Sequence, residues 1–125
     1  MPQSVIVAGA GSDERYGLCE ILEWGSFRAV PLSSMEELVE TVQKSIGRAI
    51  ILDLDTMPVD NALIKEIRKL NPLLCIIGIS SRTFHPELEE ALRTNISVCL
   101  TKPVDVDQLF YWLRSVCGGQ GGSSA

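Results

Sequence analysis

The sequence predicts a doubly wound α/β domain built on a parallel sheet. Short apolar runs rich in β-branched residues recur along the chain, each is followed by a segment with helical apolar spacing, and the alternation is strict. Such alternation leaves few packings, because right-handed crossovers put helices on both faces of a parallel sheet.

Ser4 to Ala10 carries Val-Ile-Val-Ala, and beyond Gly11 a helix runs from Asp13 to Trp24 with Leu18, Ile21 and Leu22 on one face and Gly25 at its end. Arg28 to Leu32 is a brief second strand. Ser34 and Glu37 form a capping box for a helix whose Leu38, Val39 and Val42 share a stripe before Gly47. Ala49 to Leu52 is apolar without alternation, the pattern of a strand buried on both faces, and Asp53 ends it. After the Met57-Pro58 loop, a helix from about Asn61 to Leu70 turns Leu63, Ile64 and Ile67 inward until Asn71-Pro72 stops it. Leu74 to Ile79 is the fourth strand, Pro86 opens a helix reaching Arg93, and Asn95 is expected to close it in the left-handed conformation. Val98 to Leu100 is the fifth strand. Asp105 and Gln108 then start a last helix with Leu109, Phe110, Leu113 and Val116 on its buried face.

A chain of 125 residues suits one domain, expected over residues 4–117, and the Gly/Ser-rich stretch 118–125 has the composition of a flexible tail or linker. No apolar run approaches the roughly 18 residues of a membrane span, and Met1-Pro2-Gln3 lacks the basic region of a secretion signal. A cytoplasmic location is the expectation. A net charge of −5, with no Lys/Arg run, argues against direct nucleic-acid binding through this domain. Cys19, Cys75, Cys99 and Cys117 lie in apolar stretches without CxxC spacing, and are expected to be reduced and mostly buried.

In open parallel sheets, binding sites form beyond the carboxyl ends of the strands. There the chain has Ala8-Gly9 after the first strand, Asp53 after the third, Ser80 after the fourth and Thr101-Lys102-Pro103 after the fifth. A carboxylate, a hydroxyl and an ammonium are thus expected to converge at one end of the sheet.

The segments Ile51-Leu52-Asp53-Leu54-Asp55-Thr56-Met57-Pro58, Ile77-Gly78-Ile79-Ser80-Ser81 and Thr101-Lys102-Pro103-Val104-Asp105, with 22 residues from Ser80 to Lys102, carry a specific combination. Together they resemble the receiver domain of bacterial response regulators, over Ser4 to Cys117. The resemblance implies a CheY-like (flavodoxin-like) strand order of 2-1-3-4-5 with five flanking helices. It implies a role in two-component phosphorelay signalling, as a binding switch and not a metabolic enzyme, with a sensor kinase, an output domain or a second copy as protein partner. It also implies Asp53 as phosphoacceptor, Ser80 as the hydrogen-bonding hydroxyl and Lys102 as the fixed positive charge. Such transfer is helped mainly by positioning and by neutralising charge on the phosphoryl oxygens.

Three departures qualify the resemblance. Ala8-Gly9 stands where the family has adjacent acids for Mg²⁺, so a metal site would rest on Asp53 with Asp55 or Asp13. Aspartates introduced at residues 8 and 9 are then expected to promote modification. Met57 follows Asp53 by four residues where the family has three, which makes Asp55 a rival acceptor, and Cys99 holds the place of an aromatic switch residue. These departures favour an atypical receiver with impaired or absent Mg-dependent aspartyl phosphorylation, acting by protein-protein contact. A functional phosphoacceptor switch on Asp53 is the alternative.

Gly9-Ala10-Gly11 between strand and helix also suits a dinucleotide-binding enzyme, but the third glycine of that fingerprint falls at Glu14, whose charge opposes a pyrophosphate. His85 reads as a loop or capping residue before Pro86, and Tyr111 and Trp112 as a partly buried helix flank. Glu87, Glu89 and Glu90 read as a solvated first turn, favoured by the helix dipole.

Overall fold

Each expected strand and helix is present in the computed structural model, which describes residues 3–9, 11–44 and 48–117. Ala10, Gly47 and the tail expected over 118–125 lie outside the described residues. The elements are β1 (Gln3–Ala8), α1 (Ser12–Trp24), β2 (Phe27–Leu32), α2 (Met35–Gln43), β3 (Ala49–Asp53), α3 (Asn61–Leu70), β4 (Cys75–Ser80), α4 (Glu89–Thr94), β5 (Val98–Thr101) and α5 (Val106–Trp112). A 3₁₀ turn at Pro86–Leu88 leads into α4, and a π-helical turn at Leu113–Cys117 continues α5.

The strands form one parallel sheet in the order β2-β1-β3-β4-β5. Alternation along each strand divides the apolar residues between two cores. Ile6, Ile50, Leu52 and Ile76 meet Leu38, Val42, Ile64, Ile67 and Ala91 of α2, α3 and α4. Val5, Val7, Ile51, Ile77 and Ile79 meet Leu18, Leu22, Leu109 and Leu113 on the α1 and α5 side. β3 and β4 are buried along their whole length, which explains their unbroken apolar runs. With about 1.5–3 kcal/mol for each fully buried aliphatic side chain, these faces dominate the stabilisation.

Local chemistry sets the ends of the helices. Asp60 Oδ1 accepts a hydrogen bond from the Leu63 N–H at 2.9 Å, and Asp105 Oδ1 accepts one from the Gln108 N–H at 3.1 Å. Ser34 Oγ accepts from the Glu37 N–H, but the Glu37 carboxylate reaches back to the Ser33 N–H and not to that of Ser34, so the capping box is shifted by one residue. Asn95 corrects the expected left-handed stop, because its φ is −124°. The reason is Arg68, which donates to the carbonyls of Asn95, Leu74 and Pro72 at 2.7–2.8 Å and holds the Asn95 backbone in place.

β2 is an edge strand and carries Pro31 in register with Val7. A residue without an N–H is accommodated there because an edge strand leaves half of its donors outside the ladder. Cys19 and Cys99 are free. Cys75, in contrast, is disulfide-bonded, which corrects the expectation of four reduced thiols. That expectation rested on the lack of CxxC spacing, and a parallel sheet brings together residues distant in sequence. No helix among the described residues is long and apolar enough to cross a membrane.

Two basic residues on α3 separate structural from surface charge. Arg68 links three carbonyls, whereas Lys65 pairs with Glu90 at 3.4 Å with both side chains at least half exposed. Arg68→Ala is expected to lower stability by about 2–3 kcal/mol, since it strands carbonyls that lose a charged donor. Lys65→Ala is expected to cost under about 1 kcal/mol. Urea midpoints at unchanged slope measure both.

Candidate functional site

The parallel register brings the carboxyl ends of β1, β3, β4 and β5 to one edge, with Ala8 beside Leu52, Asp53 beside Ile79, and Ser80 beside Thr101. Asp53 is the last residue of β3, and it is only 1% exposed. Its Oδ1 accepts the Asp55 N–H at 2.9 Å and its Oδ2 accepts Lys102 Nζ at 2.9 Å. Lys102 reaches it from the end of β5, where its own N–H is anchored on the Ser80 carbonyl at 2.9 Å and the Lys102–Pro103 bond is cis.

Lys102 serves three carboxylates. Besides Asp53, its ammonium lies 3.1 Å from Asp55 Oδ2 and 3.5 Å from Glu14 Oε1. Burial pushes the Lys102 ammonium down, but its bonds to Asp53 and Asp55 and the charges of Asp53 and Glu14 outweigh that and hold it above the ordinary lysine value.

Asp55 is the more exposed carboxylate, yet each of its oxygens is engaged. Oδ1 accepts the Ser80 hydroxyl at 3.0 Å, and Oδ2 accepts the Ser81 N–H and the Ser81 hydroxyl, both at 3.0 Å, in addition to Lys102. Burial raises the Asp55 carboxyl, but the Ser81 N–H, the Lys102 ammonium and the two hydroxyls together hold it well below the usual carboxylate range.

At the end of β1 the chain turns through Gly9, whose φ of +88° is a left-handed conformation. A Cβ at this residue would lie 2.5 Å from Met57 Cγ, 2.9 Å from Thr56 Oγ1 and 3.2 Å from the Asp53 Cβ. The loop after β3, one residue longer between Asp53 and Met57 than the receiver pattern, therefore folds onto Gly9 and fills the space a side chain would need. An acid introduced at residue 9 would meet Met57 and Thr56 unless that loop shifts.

The fit of a divalent cation can be judged from the donors. Ala8 is a buried methyl, Gly9 has no side chain, and the oxygens of Asp53 and Asp55 already carry the Lys102 ammonium, the Asp55 and Ser81 N–H groups and two hydroxyls. Asp13, the third expected ligand, is exposed on the first turn of α1, and the α1 carboxylate that joins the site is Glu14. No group of three or more His, Cys, Asp or Glu among the described residues is arranged to hold a metal. The residues do not fit the cation.

Sequence reasoning brought Asp53, Asp55, Ser80 and Lys102 to this edge, and the structure brings all four together. It missed Glu14 and Ser81; the signal available for Ser81 was its position directly after the Ser80 hydroxyl at the end of β4. Cys99 lies on β5 with its Sγ 4.0 Å from His85 Nε2, and burial pushes its thiol up. His85 stands at the cap position of the 3₁₀ turn but makes no capping bond; its ring is buried and Nε2 lies 3.1 Å from the Arg82 carbonyl. Tyr111 is exposed and Trp112 half-buried.

Neither a protein-family model nor a curated protein matches the chain. Solved structures do. A CheY-like response regulator receiver domain protein from Methanospirillum hungatei JF-1 superposes with a TM-score of 0.85, over 99% of this chain and 100% of that one, at 13% identity. The chain has the receiver-domain fold. The receiver domain of a Pseudomonas aeruginosa PAO1 sensor histidine kinase, solved with a magnesium ion coordinated in its active site cleft, gives 0.79 over 95% and 100% of the two chains at 17% identity. A Burkholderia pseudomallei response regulator with a phosphorylated aspartic acid, a calcium ion and citrate gives 0.78 over 98% and 73% at 16% identity. In this chain, Lys102 and Met57 occupy the edge just described.

The closure is open to measurement. Gly9→Ala is expected to cost about 2 kcal/mol or more, from its left-handed backbone and the collision with Met57. Gly17→Ala, inside α1 with open space around it, is expected to stabilise by about 0.5–1 kcal/mol, so the two thermal midpoints should move in opposite directions. The carboxyl of Asp55 is depressed in the folded state, so its contribution is present above the unfolded value of about 3.9 and lost as the pH falls further. The destabilisation caused by Asp55→Asn should therefore stay constant from about pH 5 to 8 and shrink only below about pH 4. Denaturant unfolding across that range reads it.

Proposed function

We propose that this chain is a receiver-like signalling domain of a two-component system that works through protein-protein contact, with Mg-dependent phosphorylation impaired or absent. The observation that supports it is the saturated cleft. The carboxylates that should accept a phosphoryl group or hold a cation are already satisfied by Lys102, Ser80, Ser81 and backbone N–H groups, and Met57 lies against Gly9. A phosphoryl group adds about −1.5 to −2 charge at neutral pH, and one ammonium already shared by three carboxylates is a poor counterion for it.

In this reading the domain is a binding module and not an enzyme. Its partners are proteins: a sensor kinase, an output domain or a second copy. The net charge of −5 disfavours nucleic acid as a direct partner, and a cytoplasmic location suits the role. Asp53 remains the first candidate acceptor, with Asp55 the alternative, Ser80 and Lys102 as partners of the phosphoryl group, and Cys99 at the switch position. The functional-switch reading has its own support in the convergence of Asp53, Ser80 and Lys102, and in neighbours of the same fold that hold a magnesium ion or a phosphorylated aspartate.

Acetyl phosphate distinguishes the two. An Asp53 oxygen would attack phosphorus, the bond from phosphorus to the acetate oxygen would break, and acetate would leave with that electron pair. With excess acetyl phosphate and Mg²⁺, intact mass is expected to show little or no phosphoryl gain over an hour. Rapid Mg-dependent gain, lost in Asp53→Asn, would overturn the proposal. Loss in Asp55→Asn alone would move the acceptor to Asp55.

A further inference from the structure

The contacts of Asp55 describe an occupied anion site. Four donors converge on one carboxylate: the Ser80 hydroxyl, the Ser81 N–H, the Ser81 hydroxyl and the Lys102 ammonium, all within 3.0–3.1 Å. They come from the ends of two neighbouring strands, β4 and β5, while the anion comes from the loop after β3. A neutral hydroxyl pair with a backbone N–H and a fixed ammonium is the donor set that stabilises charged oxygens on phosphorus as well as on carbon.

The position of this carboxylate matters as much as its donors. Asp55 is tied to Asp53 twice, by its own N–H on Asp53 Oδ1 at 2.9 Å and by the ammonium they share. Any group attached to Asp53 that sought Ser80, the Ser81 N–H and Lys102 would meet the Asp55 carboxylate already on them.

The same bonds continue away from the cleft. Ser80 Oγ donates to Asp55 and accepts the Arg82 N–H at 2.9 Å, and the Arg82 carbonyl lies 3.1 Å from His85 Nε2. Because a carbonyl only accepts, Nε2 is the donor in this contact. A continuous set of hydrogen bonds thus runs from the Asp55 carboxylate to a buried histidine packed near Cys99 on β5. Phe84, next to that histidine, is 75% exposed, so the outer side of the same loop is open to a partner.

We propose that the Asp55 carboxylate is a resident anion, occupying the place that a phosphoryl group on Asp53 would take and holding the Ser81 to His85 loop in its anion-bound arrangement at all times. The inference rests on the receiver-like reading above and adds the regulation of that site. The domain presents one loop arrangement to its partner without any phosphodonor, and a phosphoryl group on Asp53 is accommodated only by evicting Asp55.

The test uses the whole chain with inorganic phosphate as probe and sodium chloride at matched ionic strength as control. In wild type, the Ser81 and Arg82 amide resonances and the thermal midpoint should not respond to phosphate. In Asp55→Ala, those amides and the His85 ring should move away from their wild-type positions. Millimolar phosphate should then return them along a saturable curve and raise the midpoint by about 5 °C at ten times the dissociation constant. Asp55→Asn, of the same size and without the charge, should show the same displacement and a weaker return, and it carries the test if the alanine variant does not fold. A wild-type Ser81 amide that titrates with phosphate would overturn the proposal. So would an unmoved loop in both variants, or a response that chloride reproduces. The acetyl phosphate experiment reads Asp53 independently. An unmodified wild type with unresponsive Asp55 variants removes the resident anion alone, whereas a rapidly modified wild type removes the impaired-receiver reading on which it rests.

Discussion

A carboxylate that is 1% exposed at the end of a buried strand is the constraint on which this molecule is organised. An ionised side chain removed from water costs several kcal/mol unless it is paired and hydrogen-bonded, so Asp53 requires a cation at its own depth. Lys102 meets that demand, and its position is set from the backbone outward, because its N–H is bonded to the Ser80 carbonyl where β4 ends. One ammonium beside one carboxylate would suffice for the charge. Asp55 and Glu14 add two more, so that three carboxylates share the one ammonium.

The loop that follows β3 covers the edge at which Asp53 ends its strand. Met57, four residues after Asp53, lies across Gly9, and the glycine takes a conformation that other residues reach at a cost. The absence of a side chain at Gly9 and the path of the loop after β3 are thus parts of one packing arrangement.

How much of this was legible in the sequence depends on the range of the interactions. The strands were readable because burial on both faces leaves unbroken apolar runs in β3 and β4, and the caps at Ser34 and Asp105 were readable because they act over three residues. Asp53, Ser80 and Lys102 could be assigned to one edge because each directly follows an apolar run in a parallel sheet. The conformation of Asn95 was not readable, since it depends on Arg68, 27 residues away in sequence. The same holds for the contact of Met57 with Gly9 and for Glu14 in place of Asp13, each a product of chain paths that cross only after the sheet has formed.

Pro31 bears on how such a sheet is kept finite. A parallel sheet has two free borders, and on the β2 border the proline removes one N–H from the row that an incoming strand would need. Growth of the sheet by addition of a foreign strand is thereby discouraged on that side. The asymmetry protects a protein with two fully buried, β-branched central strands, the kind of sequence that aggregates when its borders are left as open templates.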